Sequence, residues 1–200
     1  MRNCKRILTT LVIVIFIVST MAVQTLADSD LAIPSNLEAS ASSNSVTLTW
    51  DAVPGAEQYY IAEVGIQSFT VNAPSTAYTV TGLQPGTTYS FRVMAVNSSG
   101  NSDWCAPVTV TTVPAIPSNL QVTAESDTVT LTWDAVPGAD KYYIAEVGIQ
   151  SFTVNAPSTA YTVTGLQPGT TYSFRIMAVN SSGNSDWCAL VTVTTVQQAE

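Results

Sequence analysis

The sequence predicts an all-β protein in which two tandem antiparallel β-sandwiches follow an N-terminal signal peptide. Three observations support this prediction. Apolar and polar residues alternate in short segments, which is typical of strands buried on one face. Turn-forming residues separate these segments at short intervals. Nearly all of the chain after the predicted signal peptide consists of two copies of one repeat unit.

The repeat is visible when the chain is compared with itself. Residues 33–115 align with residues 116–198 at an offset of 83 residues, with 12 differences. Within this alignment, residues 59–92 are identical to residues 142–175. A unit of this length is too long for a solenoid repeat and suits an independent small domain.

We therefore expect two domains, at residues 28–113 and 114–200. Pro114 and Pro117 lie where the two units join. Because proline restricts the backbone, we expect a short, semi-rigid connection.

Within each unit, β-branched and aromatic residues alternate with polar ones, as in half-buried strands. In the first unit the alternating segments are residues 46–50, 78–81, 89–93 and 108–111. Turn signals rich in Pro, Gly, Asn and Ser occupy residues 53–55, 84–86 and 97–101. Short strands with frequent turns in a domain of this size favour a sandwich of two antiparallel sheets.

Residues 1–27 are predicted to be a signal peptide. A basic start precedes an apolar run over residues 7–23, and the small residues Thr25 and Ala27 suit cleavage. The alternative is an uncleaved anchor, because the uncharged run approaches the length that spans a membrane. We expect a secreted protein of the extracellular space or cell surface, with no membrane insertion after cleavage.

The net charge of the chain limits the classes of partner that it is expected to bind. The formal net charge is −8, and it becomes −11 once Arg2, Lys5 and Arg6 leave with the leader. Such a surface repels phosphate backbones and anionic lipid headgroups, so we expect no nucleic-acid partner. The sequence contains no His, the commonest metal ligand and general base. We expect no cofactor, no metal site and no catalytic residues.

Residues 83–97 read Leu-Gln-Pro-Gly-Thr-Thr-Tyr-Ser-Phe-Arg-Val-Met-Ala-Val-Asn, and residues 166–180 repeat this pattern with one change. Together with the strand that ends at Trp50 and with Tyr59, this motif makes each unit resemble a fibronectin type III domain, an immunoglobulin-like sandwich. The resemblance covers nearly the whole chain after the leader. It implies a module without chemistry of its own, used in adhesion, in receptors, as a spacer, or beside secreted bacterial carbohydrate-active enzymes.

The predicted core follows from these residues. Trp50 is expected to fill the space between the sheets, and Tyr59 to face inward on the next strand. Leu83 and Tyr89 fit a tyrosine corner, in which the phenol bonds to nearby backbone. The equivalent residues of the second copy are Trp133, Tyr142, Leu166 and Tyr172.

A candidate ligand surface is expected on the outward face of the same strands. If Tyr59 faces inward, Tyr60 faces outward, where it shares a surface with Arg92. Arg92 can stack on Trp104 as a cation–π pair, and such a stack serves either packing or ligand contact. The second copy repeats the set as Tyr143, Arg175 and Trp187.

Cys105 and Cys188 follow the leader at equivalent positions of the two units. Free, partly buried thiols, an interchain disulfide that would join a homodimer, and a folded-back intrachain disulfide are the alternatives. End-to-end domains disfavour the last, because the two cysteines would then lie about one domain length apart, far beyond the ~7 Å that a disulfide allows between Cα atoms.

The remaining polar features carry no predicted site. Asp51 and Glu63 are expected at the solvated surface, because nothing places them around a cleft. Asn97 and Asn180 each begin an Asn-Ser-Ser sequon, which has meaning only in a eukaryotic secretory pathway. We expect a non-catalytic protein that binds extracellular protein or polysaccharide, or alternatively a structural spacer or accessory module.

Overall fold

The structure is a computed structural model, and it describes residues 31–63 and 67–198. The predicted signal peptide lies outside the described residues. Within them, every regular element is a β-strand, and the same eight strands occur twice. The all-β prediction is therefore confirmed.

The strands of the first repeat are β1 (Glu38–Ala41), β2 (Ser45–Thr49), β3 (Gln58–Glu63), β4 (Gln67–Asn72), β5 (Ala77–Thr81), β6 (Thr88–Asn97), β7 (Gly100–Asn101) and β8 (Val108–Thr111). Those of the second are β9 (Gln121–Ala124), β10 (Thr128–Thr132), β11 (Lys141–Glu146), β12 (Gln150–Asn155), β13 (Ala160–Thr164), β14 (Thr171–Asn180), β15 (Gly183–Asn184) and β16 (Val191–Thr194).

Each repeat forms two antiparallel sheets. The smaller sheet has the order β1-β2-β5, and in the second repeat β9-β10-β13. The larger sheet has the order β4-β3-β6, with β7 and β8 also paired to β6. Its counterpart is β12-β11-β14, with β15 and β16 paired to β14. The two sheets of a repeat enclose one apolar core.

The core follows the alternation of the sequence. On β6, Phe91, Val93 and Ala95 are 0% exposed. Trp50 and Tyr59 lie between the sheets with their rings edge to face, 5.3 Å between centroids, and Trp133 and Tyr142 repeat this contact at 5.2 Å. This geometry is the one that aromatic pairs favour.

The predicted tyrosine corner is present in both repeats. The hydroxyl of Tyr89 accepts a hydrogen bond from the backbone N–H of Gln84 at 2.8 Å, and the hydroxyl of Tyr172 accepts one from Gln167 at 2.9 Å. Leu83 and its counterpart Leu166 are buried beside the corner. The bond joins the turn before β6 to the start of the strand and fixes that crossing between the sheets.

The prediction for Glu63 is wrong. Glu63 is 3% exposed and its counterpart Glu146 is 2% exposed. Glu63 ends β3 two residues after the inward-facing Ile61, so the same alternation turns its side chain into the sandwich. Asp51, by contrast, is exposed and accepts hydrogen bonds from side chains at the domain surface.

The two repeats are in contact where they join. Gly86, in the turn before β6, and Gly138, in the turn before β11, meet backbone to backbone. A Cβ on Gly86 would overlap the carbonyl oxygen of Pro137. Both glycines have a positive φ, 63° and 70°. Only residues without a Cβ suit both the conformation and the approach.

A hydrogen bond also crosses this joint. The Asn180 side chain donates from Nδ2 to the carbonyl oxygen of Thr112 at 2.9 Å. Asn180 is consequently buried, so the second of the two sequons is covered by the neighbouring repeat. The joint is thus a packed contact.

No helix in the part of the chain that the structure describes has the length and apolar character needed to cross a membrane.

Candidate ligand-binding face

The outer surface of each larger sheet, here called the outer face, carries the candidate site residues. In the first repeat, Tyr60 and Ala62 point outward from β3, between the buried Tyr59, Ile61 and Glu63. Tyr60 lies opposite Met94 on β6, and Ala62 lies opposite Arg92. Tyr60 and Arg92 are therefore diagonal neighbours on one exposed surface, as expected.

Arg92 stacks on Trp104, with the guanidinium carbon 4.6 Å from the ring centroid. Arg175 and Trp187 repeat the stack at the same distance. Trp104 lies between β7 and β8, next to Cys105, whose backbone N–H donates to the carbonyl oxygen of Val93 at 2.9 Å. This bond pairs the segment that precedes β8 with β6. It thereby holds the Trp104 indole over the Arg92 guanidinium.

A shallow groove of about 190 Å³ lies beside this stack in the first repeat. It is lined by Tyr60, Ala62, Ser68, Phe69, Thr70 and Trp104. Three of these side chains are aromatic, and the other three are small. Such a groove suits a flat, partly apolar group better than a bulky one.

The second repeat adds a cation that the sequence analysis did not single out. Lys141 begins β11 and faces outward, with its Nζ 5.0 Å from the centroid of the Tyr143 ring. The first repeat has Gln58 at this position. The signal was present in the sequence, because this is one of the 12 differences between the repeats and it lies two residues before Tyr143.

All three basic residues of the described chain therefore lie on the outer faces. Each cation rests on an aromatic ring. Among residues 31–63 and 67–198, Arg92, Lys141 and Arg175 form no ion pair with a carboxylate, and the Nε atoms of both arginines are buried without a hydrogen-bond acceptor. The outer faces are thus the cationic and aromatic surface of an otherwise acidic protein.

A wider cleft of about 510 Å³ lies at the joint between the repeats. Loop and linker residues line it, among them Ser42, Val113 and Asp186. Its lining holds neither an aromatic nor a basic side chain. The outer faces therefore offer the stronger set of ligand contacts.

The cysteines lie beneath these faces, and neither is in a disulfide within this chain. Cys105 is buried and Cys188 is half-buried. The Sγ atoms accept hydrogen bonds from the backbone N–H groups of Val93 and Ile176, each at 3.1 Å. The folded-back disulfide is not formed, and each thiol instead completes the hydrogen bonding of its own sandwich.

The described residues contain no cluster of three or more Cys, Asp or Glu side chains arranged to hold a metal ion. The two buried glutamates are the remaining chemically notable groups. Oε2 of Glu146 accepts from Gln150 Nε2 at 2.8 Å, while its Oε1 has no partner within the described structure. Each glutamate faces its own core and lies apart from the outer face.

The fold and the sequence agree on a family. The model of the fibronectin type III domain matches residues 32–111 and again residues 115–194. The chain belongs to the fibronectin type III family. The two matches correspond to the two sandwiches, so the family resemblance drawn from the Leu-x-Pro to Ala-x-Asn motif is confirmed.

The curated relatives place such domains in varied proteins. The chain is 36% identical over 166 residues to a Kelch domain-containing protein of Saccharolobus solfataricus, covering 77% of this chain and 23% of that protein. It is 42% identical over 89 residues to a tail tube protein of Bacillus phage SPP1, covering 44% and 33%. Human neogenin is 35% identical over 118 residues, covering 52% and 8%.

This chain thus spans a third or less of each of these relatives. Among solved structures, a two-domain fibronectin type III segment of chicken tenascin matches with a TM-score of 0.52 and 22% identity. That match covers 82% of this chain and all of the tenascin segment. It confirms the fold of two tandem domains.

Proposed function

We propose that this protein is a secreted, non-catalytic binding protein that engages an extracellular protein or glycan through its outer faces. The observation that carries the proposal is the duplicated set of outward aromatic and basic side chains, Tyr60, Arg92 and Trp104 with Tyr143, Arg175 and Trp187. Trp, Tyr and Arg are enriched among the few residues that carry most of the binding energy at interfaces.

Duplication itself favours binding to a repetitive ligand. A site that is weak in one domain gains strength when two copies engage one surface, by ~10²–10⁴ where the geometry permits both. A spacer, by contrast, does not need the same outward aromatic and basic residues in both copies.

The test is a binding screen of the purified protein against immobilised extracellular proteins and glycans. We expect a ligand that the parent binds and that the double variant Tyr60→Ala/Tyr143→Ala loses. Thr49→Ala/Thr132→Ala is the matched control, because these threonines end the equivalent strands β2 and β10 on the other sheet and are exposed. Equal binding by parent and tyrosine variant would refute the proposal.

The second candidate is a structural spacer or an accessory module of a secreted carbohydrate-active enzyme. The packed joint at Gly86 and Gly138 favours it, because a fixed domain orientation serves spacing. If the protein is a spacer, the screen should yield no ligand whose binding depends on the outer faces. A variant that opens the joint should then change the length of the molecule in solution.

A further inference from the structure

We propose that the ligand of the outer faces is an acidic polysaccharide of the uronic acid type, and that the second domain holds the tighter site. This inference rests on the function proposed above and names the ligand class of the same surface. It is carried by the placement of charge, by the freedom of the three cations and by one difference between the domains.

Charge is distributed unevenly over the molecule. The chain has 14 acidic residues, and its three described basic residues all lie on the outer faces. Scattered basic residues would serve solubility equally well. On the outer faces, by contrast, each cation can pair directly with a ligand carboxylate, and this attraction acts within about a Debye length, ~10 Å at 0.1 M salt.

The three cations are free to pair with a ligand. Asp140 precedes Lys141 in the chain and is exposed. Across the described residues, neither it nor any other carboxylate pairs with Lys141, Arg92 or Arg175. A guanidinium that rests on a ring and has no protein carboxylate can offer its N–H donors to a ligand carboxylate, and such charge-assisted bonds are about twice as strong as neutral ones.

A sugar that carries a carboxylate can contact both the aromatic ring and the cation of an outer face. A sugar ring stacks its C–H face on an aromatic side chain, and a uronic acid carries its carboxylate at the edge of that ring. Tyr60 borders the groove and Arg92 lies diagonally beside it, so one acidic sugar can stack and pair at the same time. A neutral sugar would leave the cation unused, and an acidic peptide would leave the flat groove unused.

The outer-face side chains are repeated in the two domains. Residues 59–92 and 142–175 are identical, so the two domains present nearly the same contacts. A polysaccharide repeats its unit and can occupy both faces, whereas a peptide segment seldom presents one motif twice at the required distance.

One residue difference distinguishes the outer faces of the two domains. Lys141 faces outward on the second domain, where the first domain has the uncharged Gln58. The second face therefore carries two cations and the first carries one. Polyanion binding depends on the number of cations that release counterions, so the second face binds more tightly and with a steeper salt dependence.

The experiment measures binding of the full protein to polygalacturonate between 20 and about 200 mM salt, the range in which such charge effects are large. Methyl-esterified polygalacturonate, which keeps the sugar backbone but removes the charge, and polyglutamate, which keeps the charge but removes the sugar, serve as comparisons. We expect binding to polygalacturonate alone.

Reciprocal variants test the asymmetry. Lys141→Gln gives the second domain the residue of the first, and we expect roughly 3- to 10-fold weaker binding with a salt slope reduced by about one. Gln58→Lys is expected to strengthen binding to a similar extent. Thr49→Lys adds the same charge on the other sheet, and we expect a change below about twofold because the added charge is screened.

The outcomes distinguish this inference from the proposed function. Equal binding to the methyl ester, or a salt-independent interaction that Tyr60→Ala/Tyr143→Ala abolishes, overturns the acidic ligand and keeps the binding function. Equal binding to polyglutamate overturns the polysaccharide. Binding of polygalacturonate that the tyrosine variant retains overturns both, because the outer faces then contribute nothing specific.

Discussion

Asn180 donates a hydrogen bond from Nδ2 to the backbone carbonyl of Thr112, in the other domain, at 2.9 Å. Its counterpart Asn97 donates to the carbonyl of Gly55, in its own domain, at 3.2 Å. In both copies Oδ1 holds the following turn, at 2.9 Å from Ser182 N in the second. The same position of the repeat thus closes a loop in the first domain and joins the two domains in the second.

Asn180→Asp is expected to destabilise the joint. Asp keeps Oδ1 for the turn but replaces the Nδ2 donor with an oxygen that faces the Thr112 carbonyl in a buried setting. Leaving a buried acceptor unpaired beside a charge costs about 1–3 kcal/mol. Urea unfolding of the parent and variant measures the effect. Asn97→Asp is the control and should lose less than about 1 kcal/mol, since Asn97 is more exposed; equal losses would contradict a role for the joint.

Gly86→Ala is expected to open the joint. The new Cβ would overlap the Pro137 carbonyl oxygen, which is backbone and cannot rotate away. We expect a loss of about 1–3 kcal/mol beyond the conformational strain, as overpacking commonly causes. Small-angle scattering should show a broader distribution of domain separations.

Gly169→Ala separates these two contributions. Gly169 is the counterpart of Gly86, and its φ of 65° matches the 63° of Gly86, so the strain of a Cβ is nearly the same. Its added Cβ meets only the flexible side chain of Gln197. Similar losses for both variants would show that the strained backbone, and not the domain contact, determines the stability at these positions.

Glu146→Gln is expected to stabilise the second domain. The carboxylate is 2% exposed, and one of its oxygens has no hydrogen-bond partner in the described structure. The amide removes the buried charge and keeps an acceptor for Gln150, so we expect a gain of about 1 kcal/mol in unfolding free energy at neutral pH. Glu125→Gln makes the same change of charge at an exposed position and should alter stability by less than about 0.5 kcal/mol. A less stable Glu146→Gln protein would mean that the carboxylate contributes favourably.

Tyr59→Phe tests a buried bond of the core. The Tyr59 hydroxyl accepts from the backbone N–H of Val53 at 2.8 Å, and both residues are buried. Removing the hydroxyl leaves that N–H without a partner, which costs about 1–3 kcal/mol. Tyr60→Phe is the neighbouring control, because Tyr60 faces outward and should change stability by less than about 0.5 kcal/mol. Thermal and urea unfolding of the two variants should differ clearly if the bond matters.

Much of the architecture could be predicted from the sequence, since it depends on local patterns. Alternation predicts Tyr59 in the core and Tyr60 on the outer face, and the motif around Tyr89 indicates its corner. The same alternation, continued two residues beyond Ile61 on β3, places Glu63 inside the sandwich. The prediction fails there because a carboxylate is normally solvated, whereas the geometry of the strand turns alternate side chains inward whatever their charge.

The outer face could be predicted only in part. Arg92 and Trp104 are separated in the chain, and their stack depends on the pairing of the segment before β8 with β6. Lys141 was visible as a difference between the repeats, yet its place over Tyr143 follows from the position where β11 begins. Long-range register is a property of the folded sheet.

The sequence by itself determined a chain of two nearly identical fibronectin type III sandwiches and the direction in which most strand side chains point. Only the tertiary structure decided that Asn97 serves its own domain while Asn180 bridges two, and that Gly86 meets Gly138 while Gly169 meets Gln197. The physical reason is that alternation is local and identical in both copies, whereas a contact between domains depends on which surface lies opposite. Within the described chain, each domain has a neighbouring domain at one end only.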